Sequence, residues 1–114
     1  MVVFPNAKIN LGLRVVSKRS DGYHDLDTVF YPIPLTDLLE IIENKKPNEP
    51  DFSFESSGLP IPGELDQNLC YKAYKLLKKD FPDLSSIKTH LHKQIPMGAG
   101  LGGGSSDGAF MLSL

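Results

Sequence analysis

Apolar and polar residues take turns near the start of the chain. Ile9, Leu11 and Leu13 interleave with Asn10, Gly12 and Arg14, and Val15 and Val16 follow. A period of two is that of a strand with one apolar face. The pattern predicts strands over 1–4 and 7–16, and a polar turn at Lys18–Gly22. It predicts a third strand over 27–31, stopped by Pro32 and Pro34. A short aliphatic strand is expected over 38–43, a charged, proline-bearing loop over Asn44–Pro50, and a strand over 51–56 carrying Phe52 and Phe54. Leu59–Gly63 reads as a Pro/Gly connection. The period then changes. Leu69, Ala73, Leu76 and Leu77 recur at i, i+4, i+7 and i+8, which predicts a helix over 68–79. Cys70 and Tyr74 flank this stripe, lysines lie mostly opposite, and Phe81-Pro82 ends it. Alternation returns over 87–95, with Ile87, Thr89, Leu91 and Ile95 on one side. A glycine run and an apolar, helix-like tail after Asp107 follow. Strands, a helix, a strand and a helix in that order give an α+β fold.

Composition narrows the class. A chain of 114 residues, 40% apolar, suits one domain with one core. A net charge of −2 with scattered basic residues argues against nucleic acid as a partner. No apolar run approaches the ~20 residues that span a bilayer, and the first residues lack the pattern of a secretion signal. The single cysteine, Cys70, has no internal partner for a disulfide, which fits a reducing compartment. A cytoplasmic location is expected. The apolar tail Ala109–Leu114 stops without Gly, Asn or Pro, so the chain is expected to be the N-terminal piece of something larger.

The chemistry concentrates in Gln94–Phe110. Gly98, Gly100, Gly102, Gly103 and Gly104 fall within seven positions, and Ser105, Ser106 and Asp107 follow. Glycine reaches positive φ and lets a ligand approach the backbone. Successive N–H groups in such a loop make an anion hollow, and a helix start adds more donors. The P-loop pattern fails here because Gly104 stands where it needs lysine. The dinucleotide pattern fits Gly98, Gly100 and Gly103 but is weak without its βαβ setting. The plain alternative is a flexible linker, which would seldom sit between a strand, an Ile-Pro step and a helix. Other residues have ordinary readings. His90 and His92 share a strand face without a convincing third metal ligand. Asp25 and Asp27 face solvent, Cys70 packs in the core, Asn68 caps the helix, and Asp107 caps the last helix.

Pro96-x-x-x-Gly100-Leu-Gly-Gly-Gly-Ser-Ser106 resembles a signature of the GHMP kinases, and Pro5–Leu13 resembles another. Lys8-Ile-Asn-Leu followed by Asp21-Gly-Tyr-His24 is similar to the branch of that family that acts on a cytidine-diphosphate methylerythritol. The resemblance implies a ribosomal-protein-S5-like N-terminal domain and ATP-dependent phosphorylation of that substrate's 2-hydroxyl. It implies that Lys8 meets the reacting hydroxyl, that Asn10 holds the substrate, and that Tyr23 and His24 hold the cytosine. Asn68 and Lys93 would lie by the adenine and ribose of ATP. Pro96, Met97, Gly98, Ala99, Gly100, Leu101, Gly102, Gly103, Gly104, Ser105 and Ser106 would wrap its phosphates, with Ser105 or Ser106 near Mg²⁺. Residues 1–114 would be the ATP-binding N-terminal domain, truncated, and the family's aspartate base and the C-terminal domain that closes over the substrate would lie past Leu114. Two other readings stay open: a homoserine- or mevalonate-type kinase of the same family, and a non-catalytic nucleotide- or RNA-binding S5-like module.

Overall fold

The computed structural model describes residues 1–46 and 48–114. Pro47, inside the loop expected over Asn44–Pro50, lies outside the described residues. The early alternation becomes a two-stranded antiparallel ribbon of β2 (Asn6–Lys18) and β3 (His24–Thr36), after a two-residue strand β1 (Val2–Val3). The chain's third strand is expected to stop at Tyr31, yet β3 continues through Pro32 and Pro34 to Thr36. Both strands of a two-stranded sheet are edges, and an edge tolerates a residue without an N–H. Register shifts after Asn6, Leu11 and Val15 interrupt the ladder and add twist.

The remaining strands are β4 (Leu38–Glu43), β5 (Phe52–Gly58) and β6 (Ile87–Lys93). With β1 they form a sheet in the order β1-β4-β6-β5. β4 and β6 run antiparallel, with Leu39 opposite Leu91 and Ile41 opposite Thr89. β5 and β6 run parallel. A parallel pair needs a crossover, and α1 (Leu69–Asp80) supplies it after a single 3₁₀ turn at Leu65–Gln67. α2 (Gly103–Ser113) follows β6.

The core joins Leu39, Phe52 and Leu91 of the sheet to Cys70, Ala73 and Tyr74 of α1 and Met111 of α2. The Tyr74 and Tyr71 rings each lie 5.2 Å from Phe52, centroid to centroid. The buried face of α1 differs from the leucine stripe. Leu69 and Leu76 are exposed, while Cys70, Ala73 and Tyr74 are buried with Leu77 half-buried. Positions 70, 73, 74 and 77 form an i, i+3, i+4, i+7 face, and the aromatic partners on β5 select it over the leucines. Burial pushes the Cys70 thiol up to about 12, and the nearby Asp107 carboxylate adds to that.

Candidate active site

β6 ends at Lys93 and delivers the chain into the glycine loop. Gly98, Gly100 and Gly102 have φ of 71°, 74° and 71°. Among the described residues Asn48 is the one non-glycine with positive φ, so Ala99 and Leu101 keep the ordinary hand. Alternation of hand turns successive N–H groups toward a common side and builds a concave donor surface. The stretch is a folded turn system rather than an extended linker.

α2 opens at Gly103, earlier than the apolar tail suggested, so Ser105 and Ser106 sit in its first turn. Its N-cap, Gly102, contributes no side-chain hydrogen bond. The first-turn N–H groups therefore remain open to an anion. Position 103 is glycine because the space has no room for a Cβ. A Cβ there would stand 2.7 Å from Ile95 Cγ2 and 3.0 Å from Lys93 Nζ.

Lys8 reaches this loop from the base of the ribbon. Its Nζ donates to Asn10 Oδ1 at 2.6 Å and to the Gly100 carbonyl at 2.9 Å. Its backbone N–H donates to the Leu101 carbonyl at 2.9 Å. Its stem lies against Gly102, where a Cβ would come within 3.0 Å of Lys8 Cε. The ammonium also stands 5.0 Å from the Phe30 ring centroid. Lys8, Asn10 and the glycine loop are thus one constellation, although 92 residues separate Lys8 from Gly100.

Lys93 lies behind the loop. It is 1% exposed, and its Nζ donates to Asp37 Oδ2 and, at 2.8 Å, to Asp107 Oδ2. Burial opposes its charge, but the two carboxylates win and raise its pKa. Burial also opposes charge on Asp37; N–H bonds from Ile95 and Gln94 and the Lys93 ammonium outweigh it and lower that pKa. For Asp107 burial prevails over Lys93 and raises the carboxyl to about 6. Asp107 is an ion-pair partner, and the cap expected of it is not seen. Asp37 had no role in the sequence reading. Its signal was indirect: Lys93 continues the inward series Thr89, Leu91, Lys93, and a buried cation requires a buried anion.

Asn68 caps α1, accepting the Cys70 N–H at 2.9 Å. It also lines a recess with Leu69, Lys93, Met97, Gly104 and Asp107. The structure therefore gathers Asn68, Lys93, Met97 and the loop. It sets Tyr23 and His24 apart. His24 pairs with Lys18 at the ribbon's turn, whereas Lys8 pairs with Pro32 near its base. Ten residues of strand between Lys8 and Lys18 are about 33 Å of extended chain. Tyr23 is 74% exposed. His90 Nε2 and His92 Nδ1 both bond to Ser57 Oγ, at 3.0 and 2.8 Å. Among the described residues no group of three or more His, Cys, Asp or Glu side chains is set to hold a metal.

Comparison with known proteins matches residues 68–114 to the GHMP kinases N terminal domain. The chain is 60% identical over its whole length to a 4-diphosphocytidyl-2-C-methyl-D-erythritol kinase of Cytophaga hutchinsonii, covering 40% of that protein. It is 56% identical, again over its whole length, to the kinase of the same name in Bacteroides thetaiotaomicron, covering 41% of it. A crystal structure of 4-(cytidine 5'-diphospho)-2C-methyl-D-erythritol kinase superimposes with a TM-score of 0.79 at 37% identity, over 99% of this chain and 38% of that one. The chain spans about 40% of the length of the curated relatives it matches. By sequence and fold it is similar to these GHMP-type kinases over the part of their length that it spans.

Proposed function

We propose that the whole protein uses ATP to phosphorylate the 2-hydroxyl of 4-(cytidine 5'-diphospho)-2-C-methyl-D-erythritol, a step of isoprenoid precursor synthesis. This chain is its nucleotide-binding N-terminal domain. The observation that carries the reading is the Lys8 ammonium held 2.9 Å from the Gly100 carbonyl, at the mouth of a loop with alternating hand that opens α2. Phosphoryl transfer is catalysed mostly by positioning and by charge neutralisation. Loop and helix amides from Gly98 to Ser106 hold the phosphates. Lys8 neutralises charge as the acceptor oxygen bonds to the γ-phosphorus and the bond to the departing ADP oxygen breaks. Asn10 orients Lys8 and the acceptor. The hydroxyl proton leaves to a base that the family resemblance puts beyond Leu114.

Asn68, Met97 and the stem of Lys93 line the recess for the nucleoside. Tyr23 and His24, at the ribbon's turn, offer an aromatic face and ring nitrogens to the cytosine. The resemblance also implies Mg²⁺. The donor set fits: the Ser105 and Ser106 hydroxyls lie in the first turn of α2, beside the open amides. They would hold the ion with phosphate oxygens, and the ion would spread the negative charge of the phosphates. The compartment we propose is the cytoplasm. Among the described residues no helix is long and apolar enough to cross a membrane.

The test is turnover of ATP and the cytidine-diphosphate substrate by the whole protein, followed by ³¹P NMR. Lys8→Met is expected to lower kcat by about 10²–10³ while leaving the KM for ATP within about threefold. Phosphorylation of homoserine or mevalonate in place of the cytidine substrate would overturn the assignment.

A further inference from the structure

The glycine loop leaves β6 and enters α2, and both of its ends meet the same buried ammonium. Upstream, the Gln94 and Ile95 N–H groups donate to Asp37 Oδ1 at 2.6 and 2.8 Å, and the other oxygen of Asp37 accepts from Lys93 Nζ. Downstream, Asp107, in the second turn of α2, accepts from the same Nζ at 2.8 Å. Asp37, Lys93 and Asp107 are 0%, 1% and 2% exposed. Asp37 also donates its backbone N–H to the Pro5 carbonyl at 2.9 Å, three residues before Lys8. Four pieces of chain, at 5, 37, 93–95 and 107, are therefore tied to one point behind the loop.

Stability alone is a poor reason for such a cluster. Two carboxylates and one ammonium leave a net negative charge in the interior, and burying charges costs about as much as pairing them returns. Apolar side chains of similar volume would fill the space at equal or lower cost. Asp107 Oδ1 is left without a hydrogen-bond partner, a further cost. What the ions supply is direction. An apolar contact cannot fix two consecutive backbone amides and a helix turn to one geometry, whereas hydrogen bonds to a shared ion can.

We propose that Asp37 is a positioning residue for nucleotide phosphates: with Lys93 and Asp107 it clamps both ends of the glycine loop and keeps the amides of 98–104 converged. The inference rests on the phosphate-binding reading of that loop. It assigns Lys93 a supporting place behind the loop, since its ammonium is committed to two carboxylates. Gly103 belongs to the same device, because only a residue without Cβ lets α2 start against Ile95 and Lys93.

The experiment is Asp37→Asn in the whole protein, which keeps an acceptor for the two amides and removes the charge facing Lys93. ATP binding is expected to weaken about tenfold while adenosine binding stays within about twofold. Amide hydrogen exchange is expected to speed up across 94–102 and to stay slow along the β4–β6 ladder. If Asp37→Asn fails to fold, Asp37→Glu, which keeps the charge but displaces the carboxylate from the Gln94 and Ile95 amides, is read by the same two measurements. Equal loss of ATP and adenosine, or unchanged ATP binding, would overturn the clamp. A wild-type protein that binds adenosine as tightly as ATP would instead sink the phosphate reading of the loop, and the clamp with it.

Discussion

The β2–β3 ribbon and the four-stranded sheet are written in the same alternating code, and they bury very different amounts of it. On the sheet, Leu39 and Leu91 face each other at 0% and 2% exposure beneath the helices. On the ribbon, Leu11, Leu13, Val15, Val29, Phe30 and Tyr31 are all more than half exposed. Only its base is covered, where Ala7 is buried and Lys8 meets the glycine loop. Alternation specifies a strand and its two faces. What covers a face is decided elsewhere in the chain, and within these residues no helix packs over the outer ribbon. A two-stranded ribbon is marginal by itself, so the sheet carries the stability and the ribbon carries residues to be presented.

Leu39→Ala should separate the two regions most clearly. It is expected to cost about 2–5 kcal/mol in urea unfolding, against under about 0.5 kcal/mol for Leu13→Ala on the ribbon. Comparable losses would break the contrast. Next come two glycines. Gly103→Ala forces a Cβ into Ile95 and is expected to cost about 1–3 kcal/mol. Gly12→Ala on the ribbon meets nothing within 4 Å, so only its φ of 71° is penalised, at about 1 kcal/mol. Thermal unfolding of both variants orders them.

A smaller effect follows from Asp107. Its folded pKa of about 6 lies above the ordinary carboxyl value of 3.8, so its contribution is complete below about pH 3.8 and is lost as pH rises through 6. Asp37, shifted downward, gives its contribution above about pH 3.8 and loses it as pH falls below that. Asp107→Asn should therefore gain on the wild type as pH rises from about 4 to about 6 in denaturant titrations, and a flat difference would contradict the assignment. Least of all should be the stability change for Tyr23→Ala, under about 0.5 kcal/mol, because the ring is exposed. Under the proposed function its expected effect is in the whole protein: KM for the proposed cytidine substrate up about tenfold, KM for ATP unchanged.

Much of this was legible along the chain. The strand at 38–43, most of the strand expected over 87–95, the helix expected over 68–79 and a tight turn system at the glycines follow from periodicity and glycine spacing. The face of α1 did not, because leucine content pointed one way and the Phe52–Tyr74 contact decided the other. The length of β3 was hidden by Pro32 and Pro34, which signal a break only when both neighbours of a strand are occupied. The start of α2 was obscured by glycines that packing against Ile95 requires. Asp37 was invisible because its partner Lys93 lies 56 residues away and ion pairs leave no local period. Lys8 stood out only through family resemblance, and the structure places its ammonium against the Gly100 carbonyl.

The chain's single cysteine sits under α1, its thiol far from ionising at neutral pH. A thiolate is the reactive form, so alkylating reagents find no target until the helix lifts. This domain thereby carries its own clock for opening: the rate at which Cys70 accepts a label reports how often the core comes apart, without any engineered probe.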